Sequence, residues 1–389
     1  MLVFATGQIG GVKEALARGM TDSLVGYIQV KPREAPRDFF DVQTGRRIAL
    51  IAADQLASVL AKIRSLPEVV AAAPRLRFGA LVGNSEKSTP AMIMAIDPIE
   101  ESRVSPDMAD SFSLVSSGIQ ASLVSKHLVD KLDIPVGQEL FVVTETPIEA
   151  YNGRPFDIKG YASSPVLIDE YMNMLVIANL DRCRKMLYVE DVATDIGVRV
   201  KPEYVARLDD VIAHIETVLS PQERQYLGTY SYREVAQSVN SVGKIASSMA
   251  AIQVGVVMFV MLVIVLILTK MGLRERRREI GSLIALGMTR GRLVRLFSYE
   301  VVIRVLIGYG IGFAIAAILL LSIRHSGGIA ASSLVEQFMN GGKIMIPVLD
   351  GATIFFGLLV VLGVSLLTTF ASCWRAASED AVDLLNSTE

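Results

Sequence analysis

The densest group of reactive side chains lies between residues 270 and 295. Lys270, Arg274, Arg276, Arg277, Arg278, Arg290, Arg292 and Arg295 stand there with two acids, Glu275 and Glu279. Guanidinium groups in that density bind carboxylates and phosphates; they do not break covalent bonds by themselves. Groups that could do catalysis are scattered. His127, His214 and His325 have no metal-ligand spacing, and no serine sits in a G-x-S-x-G pattern. Gly341-Gly342-Lys343-Ile344 lacks the preceding glycine and the hydroxyl of a phosphate-binding loop, so the chain is not expected to hydrolyse ATP itself. The acidic pairs Glu100-Glu101 and Asp209-Asp210 read as solvated surface. No enzyme, cofactor or metal site is expected.

The basic stretch is positioned by two apolar runs, Ala250–Thr269 and Val301–Ile323, each close to the roughly 20 residues that cross a bilayer. A short loop rich in Lys and Arg between two spans stays on the cytoplasmic side. Ile280, Leu283, Ile284 and Leu286 make its amphipathic helix pattern; Gly287 can end that helix and Thr289 can cap the next. Glu300 and Arg304 have the spacing and order of a helix ion pair. Gly308 and Gly312, continued by Ala316, form a small-residue face that lets another helix approach. Residues 324–350 form an outside loop. A third run, Ala352–Trp374, ends at Trp374 and Arg375, an aromatic and a cation suited to the cytoplasmic edge. A short acidic tail helix is expected over Glu379–Leu385.

Glu275-Arg276-Arg277-Arg278-Glu279-Ile280-Gly281, then Ala285-Leu286-Gly287-Met288-Thr289-Arg290, Glu300 and Gly308/Gly312 resemble the signature of FtsX-like ABC-transporter permeases. The group includes lipoprotein-releasing and macrolide-exporting systems. The resemblance is specific over 275–312 and looser over most of the chain. It implies that Glu275, Arg276, Arg278, Glu279, Ile280, Gly281, Ala285, Leu286 and Gly287 belong to a coupling helix that docks on a separate cytoplasmic ATPase subunit, which would bind the ATP. It also implies that Gly308 and Gly312 pack within a pair made with a second permease copy or a sister permease. The expected location is the cell inner membrane, multi-pass, with a possible periplasmic partner and a lipoprotein, lipid or amphipathic cargo. A family proline is missing before Glu379-Asp380-Ala381, which puts tail contacts to the ATPase in doubt. Two other classes stay open: a non-transporting regulator of a cell-wall hydrolase, and a membrane-anchored binding module without a motor.

The chain of 389 residues is 51% hydrophobic with a net charge of −2, so no global field draws nucleic acid. Its two cysteines, Cys183 and Cys373, fall on opposite sides of the membrane in this topology, so no intrachain disulfide follows. The fold class expected is an α-helical transmembrane region with an inserted α+β extracytoplasmic domain. Residues 1–20 read as the end of a truncated first transmembrane helix and a juxtamembrane helix. The extracytoplasmic domain covers 21–240, with an inserted lobe near 100–175. Then come a span at 249–270, the coupling helix at 271–296, a span at 300–323, the outside loop at 324–350, a span at 351–374 and the tail at 375–389.

Within the domain, Leu24–Lys31, Val69–Val82, Ala91–Ile96, Ile158–Tyr161, Leu175–Ala178 and Ile196–Val200 read as strands. Helices are expected behind Asp54, over Asp181–Leu187, and through Leu208, Val211, Ile212, Ile215 and Val218. Residues 118–143 give a strand, a short helix and, through Gly137, a second strand; that stretch resembles a family segment with Gln138 in place of an acid. Tyr226, Tyr230 and Tyr232 could anchor at the membrane interface or pack in the domain.

Overall fold

The computed structural model describes residues 2–347 and 351–376. The expected tail helix lies outside the described residues. The chain forms two compact units: one of Lys13–Ala246 with Ala330–Ile344, the other of Met1–Val12, Ser247–Ile329 and Met345–Glu389. Helix α1, Leu2–Ser23, runs unbroken through the stretch where the end of a span and a following helix are expected.

The first unit is built on nine strands: β1 Ile28–Pro32, β2 Val69–Gly83, β3 Ser88–Ile96, β4 Ala121–Val124, β5 Glu139–Glu145, β6 Tyr151–Tyr161, β7 Leu175–Asn179, β8 Asp195–Val200 and β9 Leu227–Ser231. Helices α2 Ala53–Arg64, α3 Pro98–Val104, α4 Ala109–Val115, α5 Lys126–Leu132, α6 Leu180–Leu187, α7 Leu208–Val218, α8 Pro221–Tyr226 and α9 Tyr232–Val235 connect them.

The long strand β2 serves two sheets. Its second half pairs antiparallel with β3 and, at Leu81–Gly83, with β5; pairings β3–β7, β7–β4, β4–β6 and β6–β5 close a ring of six strands. Its first half pairs with β8, and β1 and β9 extend that sheet. The segment near 100–175, expected as an inserted lobe, supplies β4, β5 and β6 and so completes the ring begun by β2 and β3.

Each sheet has its own core. Alternate residues of the ring strands, Leu76, Phe78, Ala80 and Val82 on β2 and Leu140 and Val142 on β5 among them, bury together with Leu128 of α5 and Met186 of α6. That period of two is the strand signature. Ile28, Ile196 and Val198 pack instead against Val59 and Ile63 of α2 and Val211 and Ile215 of α7.

Where β2 passes between the sheets the interior is charged, which corrects one expectation. Glu101 is fully buried, not solvated. Asp97 caps α3 through the Ile99 and Glu100 amides, and Glu101, one turn on, faces β2. There the Arg75 guanidinium donates to both Glu101 oxygens at 2.9 and 2.6 Å and to the Val25 carbonyl at 2.9 Å. Arg77 pairs with the buried Asp195 at 2.7 Å. A charge this deep persists only with a partner. The tyrosines before the span pack in the domain. The Tyr226 hydroxyl donates to the Leu50 carbonyl at 2.7 Å, Tyr226 and Tyr232 lean on the second core, and Lys31 lies over the Tyr230 ring. Residues 227–231, unassigned by pattern, are the edge strand β9.

The outside loop also folds. It holds the short pairing of β10 Ile329–Ala330 with β11 Ile344–Met345 and helix α13 Leu334–Asn340. The Lys343 ammonium donates to Ser163 Oγ at 2.9 Å and the Ser164 carbonyl at 2.8 Å, and pairs with Asp169 at 2.6 Å. Gly342 permits this: a Cβ there would meet the Val166 carbonyl oxygen at 2.6 Å.

The second unit holds the three helices that, among the described residues, are long and apolar enough to cross a membrane. They are Ala251–Gly272 within α10 (Gln237–Glu275), Gly291–His325 within α12 (Arg290–His325), and Ile354–Trp374 within α14 (Gly351–Ala376). Their mean hydropathies are 3.0, 2.4 and 2.4. Between α10 and α12 lies the nine-residue helix α11, Arg277–Ala285.

Candidate functional site

Helix α11 is made by two reversals. The first is at Arg276, whose φ of −101° and ψ of 16° break the helix running in from α10. The second follows Leu286, where Gly287 takes a left-handed φ of +85°. The Gly287 amide donates to the Ile284 carbonyl at 2.9 Å and the Met288 amide to the Leu283 carbonyl at 3.0 Å. This pair of bonds satisfies carbonyls a helix end would leave orphaned, and it needs a residue without a Cβ at the turn. Thr289 then stands in the cap position of α12 in extended conformation; its carbonyl accepts from the Arg292 and Leu293 amides, while its hydroxyl makes no capping bond.

The helix has two different faces. Ile280 is 1% exposed and Gly281 is buried. Ile280 packs with Leu293 and Phe297 of α12 and Cys373 of α14, with Leu283 and Ile284 half-buried beside them. Glu275, Arg278, Glu279, Ala285, Leu286 and Gly287 are exposed. Leu286 departs from the expected apolar face, being 84% exposed. The reason is angular: six residues put it about 240° around the helix from Ile280. The exposed residues of this segment thus combine one leucine with carboxylates and a guanidinium.

Arg276 belongs to neither face. Its Nη1 donates to both oxygens of Glu300, at 2.7 and 2.9 Å, and Arg304 reaches the same carboxylate at 2.5 Å. The expected Glu300–Arg304 pair is therefore a triad, with one member supplied by the interhelical segment. Its charges are about one-third exposed or more, so the triad adds little stability; its worth is in fixing direction. Beside it a cavity of about 250 Å³ lies among α10, α12 and α14, lined by Thr269, Arg276, Glu300, Arg304 and Ser365.

Among the described residues nothing packs on Gly308 or Gly312: outside its own helix backbone no atom lies within 4 Å of where a Cβ would stand. Ala316 does not continue their face. Eight residues on from Gly308, it is about 80° further round the helix, and it buries with Leu320, Tyr309 and Ile354 toward α14.

The α/β unit carries its own cavity, of about 580 Å³, lined by Phe40, Leu81, Met92, Tyr171 and Met174 with Glu145 and Glu170 among the polar groups. The Tyr171 hydroxyl is buried there without a hydrogen-bond partner, and burial pushes its pKa up to about 12. Pattern reasoning has no access to this cavity, because residues as distant in sequence as Phe40 and Met174 line it. Among the described residues no group of His, Cys, Asp and Glu is placed to hold a metal, and both cysteines are free and buried.

Residues 251–381 match the sequence family described as FtsX-like permease C-terminal. The chain is also similar, at 9% identity and a TM-score of 0.35, to the periplasmic region of MacB from Actinobacillus actinomycetemcomitans, over 57% of this chain and 94% of that one. A second likeness, at 9% identity and a TM-score of 0.34, is to the extracellular domain of the noncanonic ABC-type transporter YknZ from Gram-positive bacteria, over 52% of this chain and 99% of that one. No curated protein matches by sequence.

Proposed function

We propose that this chain, whose residues 251–381 match the FtsX-like permease C-terminal family, is a membrane subunit of an ABC transporter that relays motion from a separate ATP-hydrolysing subunit to an extracytoplasmic α/β domain. The docking surface is the open face of α11 with the residues flanking it: Glu275, Arg278, Glu279, Ala285, Leu286 and Gly287. Arg276, Ile280 and Gly281 serve coupling from behind, by holding α11 to the helices it must move. Close-packed side chains cannot slide past one another at small cost, so a push on α11 displaces Leu293, Phe297 and Cys373 with it. The displaced α12 leads directly into residues 330–344, which fold into the same unit as the α/β domain through Lys343. In this reading α11 lies on the cytoplasmic side, because a short loop rich in Lys and Arg stays there, and the α/β domain with the 330–344 segment is assigned to the extracytoplasmic side. The inner membrane is the expected location.

The observation that carries the reading is the two-faced helix, seated by Ile280 and open at Leu286. Gly308 and Gly312, uncovered among the described residues, suit a second permease copy or a sister permease. The chain binds no cofactor of its own; ATP resides in the partner. The apolar cavity of the α/β unit favours a lipid, lipoprotein or amphipathic cargo, handed to a periplasmic partner. The test is Glu279→Lys and Gly287→Trp in the complex purified with its ATPase. Both variants are expected to insert in the membrane while ATP turnover no longer responds to cargo. Normal coupling in either would remove the assignment.

A further inference from the structure

The cavity beside the Arg276–Glu300–Arg304 triad has the chemistry of an anion site. Two guanidinium groups meet one carboxylate, so the cluster keeps one positive charge. Arg276 uses only Nη1 and Arg304 only Nη2 on Glu300. The remaining nitrogens of both groups have no hydrogen-bond partner among the described residues. Guanidinium forks with spare N–H groups match phosphate oxygens.

A second observation points into the same space. Hydroxyls on these helices bond the carbonyl four residues back: Thr269 to Val265, Thr368 to Val364 and Thr369 to Ser365. That is the usual refuge of a hydroxyl in an apolar helix. The buried Ser365 makes no such bond. It lines the cavity, is 1% exposed, and its Oγ has no partner among the described residues. A buried hydroxyl without a bond is costly, so it marks a place where a ligand oxygen fits.

Apart from Thr269, whose hydroxyl is taken by the Val265 carbonyl, the rest of the wall is apolar, with Val265, Leu268, Phe297, Val301 and Val305. A free anion gains nothing from such a wall; an anion carrying acyl chains does. We propose that this cavity binds the phosphate of an anionic phospholipid from the cytoplasmic leaflet. Arg276, Arg304 and Ser365 hold the headgroup, and the valine and leucine wall faces the chains. The site rests on these helices spanning a bilayer and is independent of the motor reading. Since Arg276 belongs to the interhelical segment and Arg304 to α12, a bound phosphate ties the two together at their junction.

The test uses the full chain reconstituted in phosphatidylcholine vesicles doped with phosphatidylglycerol, then re-extracted and analysed for retained lipid by native mass spectrometry. Wild type is expected to retain phosphatidylglycerol in excess over phosphatidylcholine. Arg304→Gln should cut that enrichment about tenfold and Ser365→Ala about threefold, the ranges for a charged and a neutral hydrogen bond. Glu300→Gln removes the neutralising carboxylate and should raise it. This opposite sign separates a binding site from simple damage. Enrichment unchanged in Arg304→Gln and Ser365→Ala, or falling in Glu300→Gln, overturns the proposal. So does displacement of the lipid by millimolar inorganic phosphate, which would mark a free-anion site, or its exclusion by a second copy crosslinked at Ser365→Cys.

Discussion

Two interhelical segments join helices by similar means and end with opposite surfaces. Residues 276–289 and 330–344 each hold a short helix stopped by a left-handed glycine, Gly287 at φ +85° and Gly341 at φ +71°. The second closes on its own unit: Lys343 spends its ammonium on Ser163, Ser164 and Asp169. The first closes only halfway. Ile280 is seated, yet Leu286 and the carboxylates of Glu275 and Glu279 face outward. A segment satisfied by its own chain transmits force within that chain; one that keeps an apolar residue outside is shaped for something else to cover it.

That contrast can be broken most forcefully at Ile280. Ile280→Asp puts an unpaired carboxylate among Leu293, Phe297 and Cys373, and is expected to cost about 3 kcal/mol in thermal unfolding and to abolish coupling. Leu286→Asp alters only the open face. Its melting should match wild type to within about 0.5 kcal/mol, while ATP turnover of the complex loses its response to cargo. Equal destabilisation by the two would mean that the faces do not differ. On the other segment, Gly342→Val drives a side chain into the Val166 carbonyl. The 330–344 segment should undock, at about 2 kcal/mol, and become cleavable by added protease. Lys343→Met should do the same more weakly, at about 1 kcal/mol.

The smallest expected effect is a pH dependence of the α/β unit. Burial alone would raise the Glu223 pKa, but the Lys62 ammonium at 2.7 Å and the Ser220 amide and hydroxyl hold it below the ordinary glutamate range. A depressed folded pKa contributes stability that is present above the unfolded glutamate pKa and is lost as pH falls through the folded one. Glu223→Gln should flatten that acid limb in an unfolding titration; an unchanged slope would assign it elsewhere.

The apolar runs and most strands of the α/β unit are legible in sequence because both report a local period. Ile280 reads inward for the same reason. Leu286 misleads because its apolar side chain suggests the seated face, while its angle, about 240° from Ile280, turns it outward. The closure of the ring by β5 against β2 is not local: Val143 meets Leu81, 62 residues back in the chain, and no period records it. Glu101 reads as surface because its partner, Arg75, is 26 residues away on another element. Glu300 shows its i+4 neighbour Arg304 in sequence but not Arg276. Lys343 had a signal available. Its two preceding glycines fit no phosphate loop, and the other use of adjacent glycines is close approach to a backbone.

The most direct test of the central claim is a photo-crosslinking amino acid at position 286, in the full chain, in cells. A covalent adduct to a separate ATP-hydrolysing protein is expected, lost when the same residue is placed instead at buried position 293. A crosslinker at 286 that captures only lipid, or that reacts with a membrane-impermeant reagent applied from outside, would contradict it.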